Sequence, residues 1–192
     1  MNVMNVMRPA AMLLAFFTAL TGIAYPLLVT GAAQILFPEK ANGSLVYRDD
    51  KAVGSTLIGQ QFSRPEYFWG RLSATGSVPY NGMASGGTNL GALHPALVDA
   101  AKARVEALRA ADSTATGSVP MDLVTASASG LDPQISVQAA EFQAARVAHA
   151  RGISTEQVKA LIREHAEGRF LGVIGIPRVN VLKLNLALDG KG

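Results

Sequence analysis

Residues 9–38 contain no Asp, Glu, Lys or Arg, and this charge-free stretch constrains the chain more than any other feature. Residues 9–37 read PAAMLLAFFTALTGIAYPLLVTGAAQILF. About 20 apolar residues rising about 1.5 Å each cross a hydrocarbon core of about 30 Å, so this run spans one with length to spare. A transmembrane helix is therefore expected over residues 9–37, behind a short tail over residues 1–8. Pro26 lacks a backbone donor and marks a bend or weak point. Thr18, Thr21, Gly22 and Thr30 are small or mildly polar, as helix contact surfaces in membranes often are. A cleaved signal sequence is the main alternative, with Thr30-Gly31-Ala32-Ala33 as its small-residue cleavage site. The apolar run is about twice the usual signal core of about 7–15 residues, which favours an anchor. A buried core helix is a third option, but a charge-free run this long is unusual in one.

Basic residues flank the run on both sides, Arg8 before it and Lys40, Arg48 and Lys51 after it. The positive-inside rule therefore does not set the orientation. An anchor placed where a signal sequence would sit leaves the N-terminus cytoplasmic and residues 39–192 as a soluble extracytoplasmic domain. The 192 residues suit one such domain plus the appendage. A net charge of +3 from 17 basic and 14 acidic residues is a small excess, and no run of Lys and Arg carries interleaved aromatics. Nucleic acid is not an expected partner; a lipid bilayer is. The absence of cysteine excludes disulfides, thiolate nucleophiles and Cys-type metal sites.

In the domain, Leu45-Val46-Tyr47 and Ser55-Thr56-Leu57-Ile58 look like short strands around an acidic turn at Asp49-Asp50. Residues 64–93 are rich in Gly, Pro, Ser and Asn and should be mostly loop, with Tyr67, Phe68, Trp69 and Tyr80 packed against the core or a partner. Pro95 is a favoured first helical position, and Leu97, Ala101, Val105 and Leu108 give that helix one apolar stripe. Residues 112–118 read as a polar loop. A second helix starts after Ser136, runs through Ala140, Ala144 and Val147, and stops at Gly152. Ser154 and Gln157 form a capping-box pattern opening a third helix through Val158, Leu161 and Ile162. Leu182, Leu184, Leu186 and Leu188 fall at every second position, so residues 180–188 read as a half-buried strand. Strands at both ends with helices between suggest a mixed sheet covered by helices. The fold expected is a single N-terminal transmembrane helix followed by one soluble domain of α/β, mixed α+β, character.

Signatures of catalysis are missing: no P-loop, no dinucleotide G-x-G-x-x-G, no G-x-S-x-G and no S-x-x-K. His94, His149 and His165 lack H-E-x-x-H spacing, so no metal site is expected; His94 reads as a helix-start residue and the other two as helix-surface residues. Three stretches remain. Ser85-Gly86-Gly87-Thr88-Asn89-Leu90-Gly91 is similar to the signature loop of ABC transporters and can cradle an anion through exposed amides. Without a P-loop partner a structural loop is preferred, leaving Ser85, Gly86, Gly87 and Asn89 as weak cofactor candidates. Residues 122–133 set small hydroxyl side chains between Asp122 and Asp132, where they line a site or cap and turn the chain; capping is preferred. Arg178, in Pro177-Arg178-Val179-Asn180, can pair with Asp122 or Asp132, and a structural ion pair is preferred over a substrate clamp.

The same stretches carry a family resemblance. Gly54-Ser55-x-Leu57-Ile58-Gly59-Gln60-x-Phe62, then Pro65-x-Tyr67-Phe68, then Ser85-Gly86-Gly87-x-Asn89-Leu90-Gly91 occur in order. Val119-Pro120-x-Asp122-Leu123-Val124-Thr125-Ala126-Ser127-x-Ser129-Gly130-Leu131-Asp132-Pro133 follows, and Pro177-Arg178-Val179-Asn180-Val181-Leu182-x-Leu184-Asn185-x-Ala187-Leu188-Asp189 closes the set. Together with the N-terminal span, these resemble the C subunits of Kdp high-affinity potassium-transporting P-type ATPases. Ile176, where the family usually has an acidic residue, and Gln134, often histidine in relatives, depart from the pattern.

The resemblance implies a non-catalytic accessory subunit of a bacterial inner-membrane complex. Its partners would be an ATP-hydrolysing pump subunit, a potassium-binding channel-like subunit and a possible small membrane subunit. ATP and potassium would be handled by the complex, with no cofactor held firmly by this chain. The subunit would stabilise assembly and act as a catalytic chaperone raising the pump subunit's ATP affinity. The phosphorylated Asp-Lys-Thr-Gly of P-type pumps is missing; the nearest string is Asp50-Lys51-Ala52-Val53. The competing class is a membrane-tethered, exported small-molecule-binding domain.

Overall fold

A computed structural model describes residues 3–112, 115 and 117–190. The chain divides into two compact units, Met1–Leu45 and Val46–Gly192.

The first unit is a helical rod. Helix α1 (Val3–Ala19) passes through a π-helical turn at Leu20–Ala24 into α2 (Tyr25–Leu36), so helix also covers most of the segment expected as a tail. Its stretch Val6–Leu36 has 31 residues and a mean hydropathy of 2.0, long and apolar enough to cross a membrane. The irregular turn precedes Pro26. A proline ring displaces the carbonyl four residues back, and the wider turn relieves that clash, with the Tyr25 amide reaching Leu20 O. The Thr21 hydroxyl also donates to Phe17 O at 2.7 Å, satisfying one acceptor in this stretch. After α2 the backbone breaks at Phe37, and a short turn, α3 (Pro38–Ala41), follows.

The second unit begins around a hairpin of β1 (Leu45–Arg48) and β2 (Lys51–Ser55). Asp49 and Asp50 both take positive φ, 50° and 60°, as a two-residue type I′ turn requires. That tight turn pulls the second strand back to Lys51–Ser55 instead of 55–58; Ile58 makes only an isolated bridge with Ser55.

Helix α4 (Pro95–Ala111) starts where expected, with the His94 ring Nδ1 accepting from Ala96 N at 3.2 Å. Its stripe turns inward and is fully buried only at Leu108. A short helix, α5 (Met121–Val124), leads to β3 (Gln134–Ser136) and then α6 (Val137–Arg151), whose Ala139, Ala140, Ala144 and Val147 lie at the centre of the core. Gly152 ends α6 in the left-handed region, φ 65°, a backbone state glycine adopts without a side-chain penalty. The expected capping box opens α7 (Thr155–Glu164): Ser154 Oγ accepts from Gln157 N while Gln157 Oε1 accepts from Ser154 N. Replacing Ser154 with Ala should cost about 1 kcal/mol, measurable as a lower denaturant midpoint with unchanged slope.

Strands β4 (Ala166–Glu167) and β5 (Arg178–Asn180) complete a three-stranded antiparallel sheet in the order β3-β5-β4. The sheet expected to join both ends of the domain is instead two small sheets, because β5 is short and turns into helix α8 (Val181–Leu188). The strand expected over residues 180–188 is thus corrected to a helix after Asn180. Asn180 Oδ1 caps Lys183 N at 3.1 Å, and Val181, Leu184 and Asn185 bury one helical face. The alternating leucines satisfy both periods; the capping asparagine selects the helical one.

Candidate functional site

The loop over residues 64–93 does not lie on the surface throughout. Phe68 is fully buried, and because a loop strand has no neighbour to satisfy its backbone, side chains supply the bonds. Asn185 Oδ1 accepts from Phe68 N at 2.8 Å while its Nδ2 donates to Phe68 O at 3.0 Å. Gln143 repeats the arrangement one residue on, accepting from Trp69 N at 2.8 Å and donating to Trp69 O at 3.1 Å. Each carboxamide thus imitates a paired strand. The Arg146 guanidinium lies 4.2 Å from the Trp69 ring centroid and donates to Tyr67 O, Pro65 O and Gln143 Oε1. Burial pushes Arg146 down to about 10, so it keeps its charge at neutral pH. Arg151 donates to Glu66 O at 2.7 Å, Leu188 O at 2.9 Å and Asp189 Oδ1 at 2.8 Å. Sequence reading missed Gln143, Arg146 and Arg151. The available signal was two long polar residues, Gln143 and Arg146, among the apolar positions of α6.

The glycine loop and the 122–133 stretch come together. Gly86 N donates to Ser129 O at 2.9 Å, and the Ser85 hydroxyl reaches the same carbonyl at 3.1 Å. A Cβ on Gly87 would lie 3.0 Å from Ala128 O; one on Gly130, at φ 67°, would lie 2.8 Å from Gly86 O and 2.5 Å from Thr75 Cγ2. The glycines let two backbones touch, and at least one amide of the candidate cradle is engaged inside the domain. Asn89 is exposed.

The remaining family positions also bond locally. Asp122 accepts from Ser136 N at 2.7 Å and from the Ser136 hydroxyl, which in turn caps Ala139 N. Asp132 accepts from Gln134 N at 3.0 Å and pairs with Arg71 at 3.0 Å. Thr125 donates to Met121 O, Ser129 Oγ accepts from Leu131 N, and buried Ser127 donates through its amide to Leu72 O. Gly59 N donates to Leu131 O, Gln60 Nε2 to Val53 O, and Asn180 Nδ2 to Thr56 O. Phe62 packs at the edge of the core, its ring 5.6 Å from Tyr67. Arg178 corrects an expectation: it pairs with Glu167 at 3.4 Å, not with Asp122 or Asp132. Strand register sets Glu167 opposite Arg178, whereas Asp122 is engaged by Ser136 and Asp132 by Arg71.

One cavity of about 270 Å³ is lined by Gln60, Phe62, Trp69, Arg71, Tyr80 and Arg104 among others, with no carboxylate in its wall. Arg71 Nε is buried without a hydrogen-bond partner among the described residues. Burial lowers the Arg104 pKa and raises that of Tyr80, whose hydroxyl donates to Arg71 O at 2.5 Å. The wall suits an oxygen-rich or aromatic group, but the volume falls below the roughly 300–1,000 Å³ usual for small-molecule sites.

The molecule is thus a membrane-helix protein whose soluble domain turns its motif residues mainly onto its own backbone. The family described as "K+-transporting ATPase, c chain" matches residues 7–190, helix and domain together, and the chain belongs to that family. It is 62% identical over 185 residues to the "Potassium-transporting ATPase KdpC subunit" of Polaromonas naphthalenivorans (strain CJ2), covering 96% of this chain and 94% of that one. The same-named proteins of Variovorax paradoxus (strain S110) and Burkholderia mallei (strain SAVP1) are 62% and 55% identical over 185 residues, each covering 96% of this chain and 96% of the relative. The N-terminal helix fits a single-pass membrane subunit of such an ATPase.

Proposed function

We propose that this chain is the accessory, non-catalytic subunit of an ATP-driven high-affinity potassium uptake complex. It stabilises the assembly of the ATP-hydrolysing pump subunit with the potassium-binding channel-like subunit, and a small membrane subunit with them. The observation that carries this reading is the continuous family match over residues 7–190, which includes the apolar helix. The internal use of Asp122, Asp132, Ser129 and Asn180 agrees with it, since these groups hold the domain's own backbone.

The chain lies in the bacterial inner membrane with its N-terminus cytoplasmic and its domain outside, docked on the channel-like subunit. From there it cannot touch cytoplasmic ATP. Its action as a catalytic chaperone for the pump subunit is then a coupling free energy passed through the membrane subunits. The glycine loop of Ser85, Gly86, Gly87 and Asn89 would contact nucleotide only if the domain faced the cytoplasm. A tethered small-molecule-binding domain is the second reading, favoured by the arginine-lined cavity alone.

Co-purification decides between them. A tagged full chain extracted from its native membrane should bring down the pump and channel-like subunits, and a variant lacking residues 1–37 should bring down neither. A full chain that purifies alone would favour the tethered binder.

A further inference from the structure

The cavity beside Trp69 gathers more positive charge than the described residues around it neutralise. Arg71 and Arg104 both line it, and its wall holds no carboxylate. Arg71 has its partners: Nη1 pairs with Asp132 at 3.0 Å and Nη2 donates to Ala126 O at 3.3 Å. Arg146 lies against the Trp69 ring from α6; burial disfavours its charge, Asp112 supports it and Arg104 opposes it. Arg104 is left over. From α4 its Nε donates to Leu123 O at 3.1 Å and its Nη2 reaches Gly70 O at 3.5 Å. Its Nη1 has no acceptor and the guanidinium no ion pair among the described residues.

That charge cannot be relieved from within. Burial disfavours it, yet a guanidinium keeps its proton in proteins. Tyr80 is the one group in the wall that could become an anion. Burial raises its pKa, and its hydroxyl already donates to Arg71 O at 2.5 Å, so it stays a neutral phenol. A partly buried charge with no counter-charge costs free energy that a bound anion offsets. The cavity volume, about 270 Å³, lies under the range of drug-sized ligands and leaves room for an ion of a few heavy atoms.

We propose that this cavity binds one small free oxyanion, of the phosphate, sulfate or short carboxylate kind. Arg104 is its charge partner, and the Ser63 hydroxyl in the same wall is a further donor. Such an ion is a resident counter-charge of the domain, so the inference goes beyond the accessory-subunit reading and stands whether or not co-purification supports that reading.

The test uses the full chain in detergent solution. Trp69 is its single tryptophan, lines the cavity and has the Arg104 guanidinium 5.5 Å from its ring centroid, so its fluorescence reports on this site alone. Sodium phosphate, sulfate and acetate are titrated against sodium chloride at constant ionic strength, with calorimetry alongside. At least one oxyanion should give a saturating heat and a saturating change in fluorescence that chloride does not reproduce. The tightest of them tells an inorganic tetrahedral anion from a carboxylate. Arg104→Gln should abolish both signals, but it also removes the bond to Leu123 O and can unfold the domain.

Ala107 supplies the cleaner variant. It is exposed, lines the same cavity and lies three residues beyond Arg104 on α4, where a carboxylate can reach the guanidinium. Ala107→Glu should weaken oxyanion binding about tenfold or more by supplying the missing charge, while Ala107→Gln, of equal size, should change it by about twofold at most. Both keep the fold, since the position is on the surface. No saturating response to any of the three oxyanions overturns the proposal. So does a response that chloride reproduces, or one that Ala107→Glu leaves unchanged, because the anion then acts elsewhere on the protein.

Discussion

Asn185→Leu should destabilise the soluble domain by about 3 kcal/mol, although leucine nearly matches asparagine in shape. Asn185 is 2% exposed, and its carboxamide satisfies both the N–H and the C=O of Phe68, a residue with no exposure at all. Leucine leaves both backbone groups buried without partners, and each costs about 1–3 kcal/mol. Water cannot replace the lost bonds without opening the core around Phe68. The variant should show a lower denaturant midpoint in detergent solution and faster exchange of the Phe68 amide. Asn185→Asp should not restore stability, because a carboxylate accepts from Phe68 N but cannot donate to Phe68 O. A midpoint unchanged in Asn185→Leu would mean that the clasp contributes nothing to the fold.

Gly130→Ala should have an effect of similar size through a different cause. The φ of 67° places alanine in the left-handed region, at about 1–2 kcal/mol. Its Cβ would also lie 2.8 Å from Gly86 O and 2.5 Å from Thr75 Cγ2, and relieving such overpacking costs about 1–3 kcal/mol. Together these give about 2–5 kcal/mol. Because Gly86 and Ser129 bond across the same contact, the Ser85–Gly86–Gly87 loop should loosen with it, seen as faster exchange of the Gly86 amide. Gly117→Ala is the matching control, since a Cβ there meets nothing within 4 Å.

The sequence was readable where local chemistry decides. Ser154 with Gln157, His94 with Pro95, and Gly152 each acts through bonds within a few residues, and each forms as expected. Residues 180–188 failed because leucine at every second position also places Val181, Leu184 and Leu188 at helical spacing. The deciding group, the Asn180 cap, was read only as part of a motif. Arg178 failed because its partner follows from strand register, and β4 had no visible pattern. The clasp was least readable. Gln143 meets Trp69 across 74 residues and Asn185 meets Phe68 across 117, so no local window contains either pair. The aromatics within residues 64–93 did signal that this loop packs against something, and Phe68 does so completely. The family motifs marked Asn185 and Asp189 without giving their tasks.

The most direct test of the proposed role is potassium-stimulated ATPase activity against ATP concentration, measured on complexes assembled with and without this chain. The account predicts a higher ATP concentration for half-maximal rate, or loss of a stable complex, when the chain is absent, and no hydrolysis by the chain alone. Identical ATP dependence and unchanged potassium stimulation in complexes that lack the chain would contradict it.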